Sequence, residues 1–182
     1  WKIGSGEINN PVLLEMILDT NKPILLSTGM SDWNEIDASI GKLVDDKIDC
    51  TIFQCTSKYP TEIEEVGLNV MKEMKEKYNI PTGLSDHSGR TSSAIAAIAK
   101  DANLLEVHVV FDKAMFGPDV KSSLTLKQLR EVVNFRNDYY KMITNPVDKD
   151  LLAKELIGMR RLFNKSVVLN KMLTKGATIN RN

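Results

Sequence analysis

The chain has 182 residues, 42% of them hydrophobic and 26% charged, and its 24 basic residues balance its 24 acidic ones to a net charge of zero. Such a chain carries no global field to recruit nucleic acid or an anionic membrane, so anion binding has to be local. No apolar run approaches the roughly 20 residues that cross a bilayer, and WKIGSGEINN lacks a secretory-signal pattern, so a cytoplasmic protein without a membrane partner is expected.

In chain order the pattern is a short apolar strand, a polar loop and an amphipathic helix, repeated. The predicted strands are Lys2–Ser5, Pro23–Ser27, Cys50–Cys55, Thr82–Ser85 and Leu104–Val110. Asn10 followed by Pro11 reads as an N-cap with proline at the first helical position, leading into VLLEMILD. Ser31 is a candidate cap for DWNEIDASIGKLVDD, and VGLNVMKEMKEKYN carries apolar residues at Val66, Val70 and Met74. TSSAIAAIAKDA is rich in small residues, which suits a helix packed closely on a sheet. Thr125 can cap LKQLREVVNFRNDYYKMI, with Leu126, Leu129, Val132 and Val133 on one face. Cys50 and Cys55 share a strand at an odd separation, so their side chains point to opposite faces and stay reduced.

Strand–helix alternation with short connections means a parallel sheet covered by helices, either an open doubly wound sheet or a (β/α)8 barrel. Polar residues within the strands favour the barrel. In LLEVHVV, Leu105, Val107 and Val109 form one apolar face, whereas Glu106 and His108 lie on the other. An acid and an imidazole are costly to bury without partners, but the interior near the C-terminal end of a barrel strand opens into a site. Five strands cannot close a barrel of eight, which takes about 250 residues. Three N-terminal βα units are therefore expected to lie outside this chain. After Ile143, TNPVDKD reads as a linker, LLAKELIGMRRL as a short helix, and SVVLNKMLTKGATI as the opening strands of another small domain. Truncation at both ends is the expectation.

His87 and His108 follow or sit in consecutive strands, which run about 4.8 Å apart, so two imidazoles there can share one cation. A pair of hydrogen-bonded histidines without a metal fits the same spacing. Asp86 and Glu106 are candidates for further ligands, orienting groups or a general acid/base. Lys2-Ile3-Gly4-Ser5-Gly6-Glu7 sets a cation, a hydroxyl and a carboxylate at one strand end, and also reads as a plain glycine-rich turn. Cys55-Thr56-Ser57-Lys58-Tyr59-Pro60 suits a sugar or phosphate contact, or a Tyr-Pro turn, and Phe116-Gly117-Pro118-Asp119 is a turn signature.

Taken together, KIGSGEINNP, KPILLSTGMS, CTSKYPT, GLSDHSGR, EVH…FD and GPD resemble, in order and spacing, the N-acetylneuraminate (sialic acid) synthase family. The resemblance implies the fourth to eighth strands of a (β/α)8 TIM barrel over residues 1–143. Residues 144–182 then form the linker and the beginning of an SAF (antifreeze-like) domain. The implied activity condenses phosphoenolpyruvate with N-acetylmannosamine or a related N-acetylated amino sugar to a nine-carbon 2-keto acid, releasing phosphate, in a domain-swapped homodimer. Carried over by position, Lys2, Ser5, Ser57 and Ser85 hold phosphoenolpyruvate, His87 and His108 hold manganese or magnesium, Tyr59 and Asp119 contact the acceptor, and Glu7 handles water or proton transfer.

Ser57 stands where some members have asparagine, and Val107 where many have lysine or arginine. Asp119 in GPD favours a mannosamine-type acceptor over the pseudaminic branch, with a legionaminic-type acceptor still open. The first three barrel strands and an SAF-domain arginine supply further contacts in the family, so residues 1–182 alone are expected to be inactive. Two rivals remain: another phosphoenolpyruvate aldol-type synthase, such as the 3-deoxy-heptulosonate type, and a non-catalytic remnant that binds a ligand or partner.

Overall fold

The computed structural model describes residues 1–45 and 47–178. It divides into two units, Trp1–Thr144 and a second beginning at Asn145. In the first unit the order is β1 (Lys2–Ile3), α1 (Pro11–Leu18), β2 (Ile24–Ser27), α2 (Trp33–Asp45), β3 (Cys50–Cys55) and, after a 3-10 turn, α3 (Leu68–Tyr78). Then follow β4 (Thr82–Asp86), α4 (Thr91–Ala99), β5 (Leu104–Val110), β6 (Ser123–Thr125) and α5 (Leu126–Thr144).

All six strands are parallel and run in sequential order from β1 to β6. Right-handed crossovers between sequential strands put every connecting helix on the same face of the sheet. The core confirms this placement. Ile3, Ile24, Leu26, Cys50 and Ile52 pack with Leu14, Ile17, Ile36, Ile40, Leu43 and Met74 from α1, α2 and α3. Leu84 meets Met71 and Ala97, and Leu124 meets Ala94, Ile98 and Val132. Ala94 and Ala97 are wholly buried, as the small-residue character of α4 anticipates.

Within the first unit the opposite face is free of the connecting helices α1 to α4, and there the sheet curls on itself. On a flat sheet β1 and β5 would lie about 19 Å apart, at ~4.8 Å per strand. That is farther than a lysine and a glutamate reach together, yet Lys2 Nζ sits 3.1 Å from Glu106 Oε1. A doubly wound sheet would reverse its strand order and carry helices on both faces. The architecture is therefore a six-stranded parallel half-barrel of α/β type.

Four of the helix starts follow local chemistry. Asn10 caps α1 through Oδ1, which accepts from Leu13 N at 3.1 Å, with Pro11 behind it. α2 is capped by Asp32 and not by Ser31: Asp32 Oδ1 accepts from Glu35 N, and Glu35 Oε2 accepts from Asp32 N. This reciprocal box satisfies two free donors, which a lone serine one residue earlier does not. Thr125 and Gln128 form the same box at α5. Asp86 braces the start of α4, accepting from Ser88 N, Ser88 Oγ and Ser93 Oγ.

Three expectations need correction. A sixth strand, Ser123–Thr125, pairs with His108–Val110 between β5 and α5; three residues are too few for a period-2 pattern to show. On α5, Val132 is buried, whereas Leu126 and Val133 are exposed. In the second unit, α6 (Lys149–Glu155) and α7 (Ile157–Phe163) take up the predicted helix, but no strand forms over described residues 164–178. The remaining position of the predicted tail strands, Ile179, lies outside the described residues. Among the described residues no helix is long and apolar enough to cross a membrane.

Cys50 and Cys55 are both free and buried. Cys50 sits among the helix-facing core residues, and burial, aided by the nearby Asp49 carboxylate, pushes its thiol up to about 12. It should therefore resist iodoacetamide at pH 8.5 in the folded protein and react only once urea exposes it. Because the folded pKa is the higher one, this group leaves stability unchanged below pH ~8.5. It lowers stability by about 1.4 kcal/mol per pH unit from there towards 12. Rapid alkylation of native Cys50, mapped by mass spectrometry, would contradict this packing.

Candidate active site

The inner face of the half-barrel is set by strand parity. Rows of side chains run across it in register: Lys2, Leu25 and Thr51; then Ser27, Phe53, Gly83 and Leu104; then Cys55, Ser85 and Glu106. Apolar residues fill the middle, and polar ones collect towards the C-terminal ends, where His87 and His108 follow.

The first cluster joins β1 to β5. Lys2 Nζ donates to Ser27 Oγ at 2.7 Å and pairs with Glu106 Oε1. Ser85 Oγ donates to the same Glu106 oxygen at 2.7 Å. Lys2 Nζ also lies 5.4 Å from the centroid of the Phe53 ring, close enough for a cation–π contact.

The second cluster surrounds Gly29, whose backbone N–H donates to Ser5 Oγ at 2.9 Å. A Cβ on Gly29 would lie 2.4 Å from Ser57 Oγ and 2.8 Å from Cys55 Sγ, so only glycine lets these three side chains converge. Cys55 Sγ is 4.0 Å from Ser57 Oγ and 3.9 Å from His87 Nδ1, which ties this cluster to the third. Burial works against ionising the Cys55 thiol, but hydrogen bonds with His87, Ser5 and Ser85 outweigh it and lower its pKa.

The third cluster is aromatic. The His87 and His108 ring centroids are 5.2 Å apart, and Tyr59 lies 4.2 Å from the first and 5.9 Å from the second, edge-on. His87 is buried, and its Nδ1 lies 3.0 Å from the Thr56 carbonyl, which can only accept. Nδ1 therefore carries the proton, leaving the Nε2 lone pair free when the ring is neutral. Burial disfavours the imidazolium, but contacts with Cys55, Thr56 O and Asp86 raise the His87 pKa on balance. His108 Nδ1 faces Asp119 Oδ2 at 3.8 Å, across the loop that ends at β6.

A divalent cation fits this third cluster in part. Two imidazoles lie side by side. His87 is oriented by a hydrogen bond to a carbonyl, as ligating histidines commonly are, and His108 has a carboxylate 3.8 Å from its Nδ1. Among the described residues no third His, Cys, Asp or Glu completes a metal-holding group. The remaining positions would fall to water or substrate, as in an open site.

Of the residues singled out from sequence, Lys2 and Ser85 meet in the first cluster, Ser5 and Ser57 in the second, and His87, His108, Tyr59 and Asp119 in the third. Glu7 stands apart: its carboxylate accepts from Asn10 Nδ2 at 2.8 Å, at the start of α1. Asp86, a possible metal ligand by position, turns to the helix side and binds Ser88 and Ser93. Ser27 and Gly29 receive no role from sequence, and Cys55 is noted for the site only as part of the Cys55–Pro60 strand end. Ser27 and Cys55 share the inner-facing parity of Leu25 and Phe53, which could have pointed to them.

Residues 1–148 match the NeuB family. The chain is 33% identical over 198 residues to the N,N'-diacetyllegionaminic acid synthase of Campylobacter jejuni, covering 100% of this chain and 59% of that protein. It is 31% identical over 177 residues to a pseudaminic acid synthase of the same species, covering 97% of this chain and 51% of that one. Among solved structures, it is similar to the sialic acid synthetase of Leptospira borgpetersenii, with a TM-score of 0.77 and 27% identity, over 91% of this chain and 58% of that one. The chain thus spans little more than half the length of these relatives. A half-barrel carrying these three clusters at its strand ends, matched over residues 1–148, belongs to the NeuB family.

Proposed function

We propose that the protein condenses phosphoenolpyruvate with an N-acetylated amino sugar, forming a nine-carbon 2-keto acid and releasing phosphate. The observation that carries this reading is the pairing of two different sites at the strand ends. Facing imidazoles lie beside a lysine–serine cluster, within a chain of the NeuB family whose relatives bear sugar-acid synthase names.

Lys2, Ser27 and Ser85 offer an ammonium and two hydroxyls to a carboxylate or phosphate, and Ser5 and Ser57 add hydroxyls around Gly29. Such donors hold an anion best when they are fixed before it arrives. His87 and His108 would hold a manganese or magnesium ion, which would supply Lewis-acid polarisation of the acceptor's aldehyde. Tyr59 offers a half-exposed ring face to the sugar, and Asp119 both orients His108 and accepts from acceptor hydroxyls. The methylene carbon of phosphoenolpyruvate bonds to the acceptor's aldehyde carbon, whose C=O electron pair passes to its oxygen and takes up a proton. Water adds at C2 and loses a proton, and the C2–O bond to phosphate then breaks, leaving the 2-keto group. The family resemblance alone assigns Glu7 to that water, since its carboxylate, bonded to Asn10, stands apart from the three clusters.

The SAF-type continuation after residue 144, the placement of β1–β5 as the fourth to eighth strands of the barrel, and a homodimer that completes the site belong to the same proposal. So does cytoplasmic residence. Because the relatives named for legionaminic and pseudaminic acid are similarly identical, the acceptor is an N-acetylated amino sugar of unspecified stereochemistry. The test is phosphate release by the protein expressed from its own gene, with phosphoenolpyruvate, Mn2+ and a panel including N-acetylmannosamine and 2,4-diacetamido hexoses. Acceptor-dependent release supports the reading, and none with any acceptor overturns it. Residues 1–182 alone are expected to show no turnover.

A further inference from the structure

The first cluster contains an anion that comes from the chain itself. Glu106 Oε1 accepts from Ser85 Oγ at 2.7 Å and pairs with Lys2 Nζ at 3.1 Å. One carboxylate oxygen thus occupies the point where an ammonium from β1 and a hydroxyl from β4 converge. We propose that Glu106 is a latch: its carboxylate fills the anion position while the site is empty and yields it to phosphoenolpyruvate. This inference rests on the phosphoenolpyruvate reading above.

Three observations support displacement over a permanent contact. First, two other lysines beyond the strand ends are engaged elsewhere: Lys58 pairs with Glu65, and Lys113 donates to the carbonyls of Val120 and Ser123. A multiply charged ligand therefore gains an ammonium at the first cluster only if the Lys2 pair opens. Second, the Glu106 and Lys2 side chains are 41% and 32% exposed, so a released carboxylate moves into water with little desolvation. Third, Lys2 keeps a second anchor in Ser27 Oγ at 2.7 Å. The ammonium therefore stays in place when Glu106 leaves, and Ser85 exchanges one carboxylate for another.

A fixed carboxylate beside the bound ligand would instead repel it throughout the cycle. The latch confines that repulsion to the empty state. There it prevents Lys2 from being left uncompensated inside the curled sheet.

Glu106→Gln keeps the size of the side chain and an oxygen that can accept from Ser85, but removes the charge that competes with the ligand. In the protein expressed from its own gene, phosphoenolpyruvate affinity measured by calorimetry should rise by about 10-fold in this variant. The KM for phosphoenolpyruvate should fall with it. Equal or weaker binding by the variant, with normal binding by the unmodified protein, overturns the latch and leaves the proposed function standing. Failure of the unmodified protein to bind phosphoenolpyruvate overturns both. If the variant does not fold, a crystal structure of the unmodified protein with phosphoenolpyruvate decides the matter. Separation of Lys2 Nζ from Glu106 Oε1 to more than about 4 Å supports the latch, and a retained ion pair overturns it.

Discussion

Replacing His87 or His108 by alanine is expected to lower kcat/KM by about a thousandfold or more, a loss of at least ~4 kcal/mol of transition-state stabilisation. It should also remove the thermal stabilisation that Mn2+ confers. His87 follows β4 and His108 lies in β5, and their ring centroids are 5.2 Å apart, so in the proposed site neither replaces the other as a ligand. A cation at 100 times its dissociation constant stabilises the folded state by about 2.7 kcal/mol, a shift readily seen in a melting curve. Both variants should melt at the same temperature with and without Mn2+. Asp119→Asn keeps both imidazoles and weakens the carboxylate's contacts to His108 and to the acceptor's hydroxyls, so a smaller loss, about 10- to 100-fold, is expected. Undiminished Mn2+ stabilisation in both histidine variants would remove the metal from the proposed mechanism.

The largest stability effect is expected from Gly83→Ala. An added Cβ would lie 2.5 Å from the Leu104 carbonyl oxygen and 2.8 Å from the Phe53 ring. The carbonyl belongs to a strand in register with Gly83, and Phe53 is almost wholly buried on the inner face, so neither can retreat cheaply. Urea unfolding should show a loss of about 3 kcal/mol. Gly41→Ala is the matched control. It lies within α2 with nothing within 4 Å of the new methyl, so helix propensity should raise stability by about 0.5–1 kcal/mol. A Gly83→Ala variant as stable as the original would mean that the inner row of Ser27, Phe53, Gly83 and Leu104 is loosely packed.

Much of the half-barrel is written locally. Cys50–Cys55 and Leu104–Val110 form strands with the boundaries their apolar runs suggest, and Asn10-Pro11 and Thr125 start helices because their caps act within a few residues. Alternation in LLEVHVV likewise puts Glu106 and His108 on one face from spacing alone. Order in the chain, together with right-handed crossovers, then carries the strands into a sequential parallel sheet.

Long-range contacts decided the rest. The sequence holds Lys2 and Glu106 more than a hundred residues apart, and no local period connects them; only the curl of the sheet brings them to 3.1 Å. Asp86 and His87 are neighbours in one motif, but the pleat sends one towards α4 and the other into the site, so adjacency misled where parity did not. β6 exists because the backbone of His108–Val110 is there to pair with, a condition that SLT cannot express by itself. The residue types available for chemistry were thus set by the sequence. Which of them share an ion pair or a hydrogen bond was settled by curvature and pleat, because both act between strands and not along them.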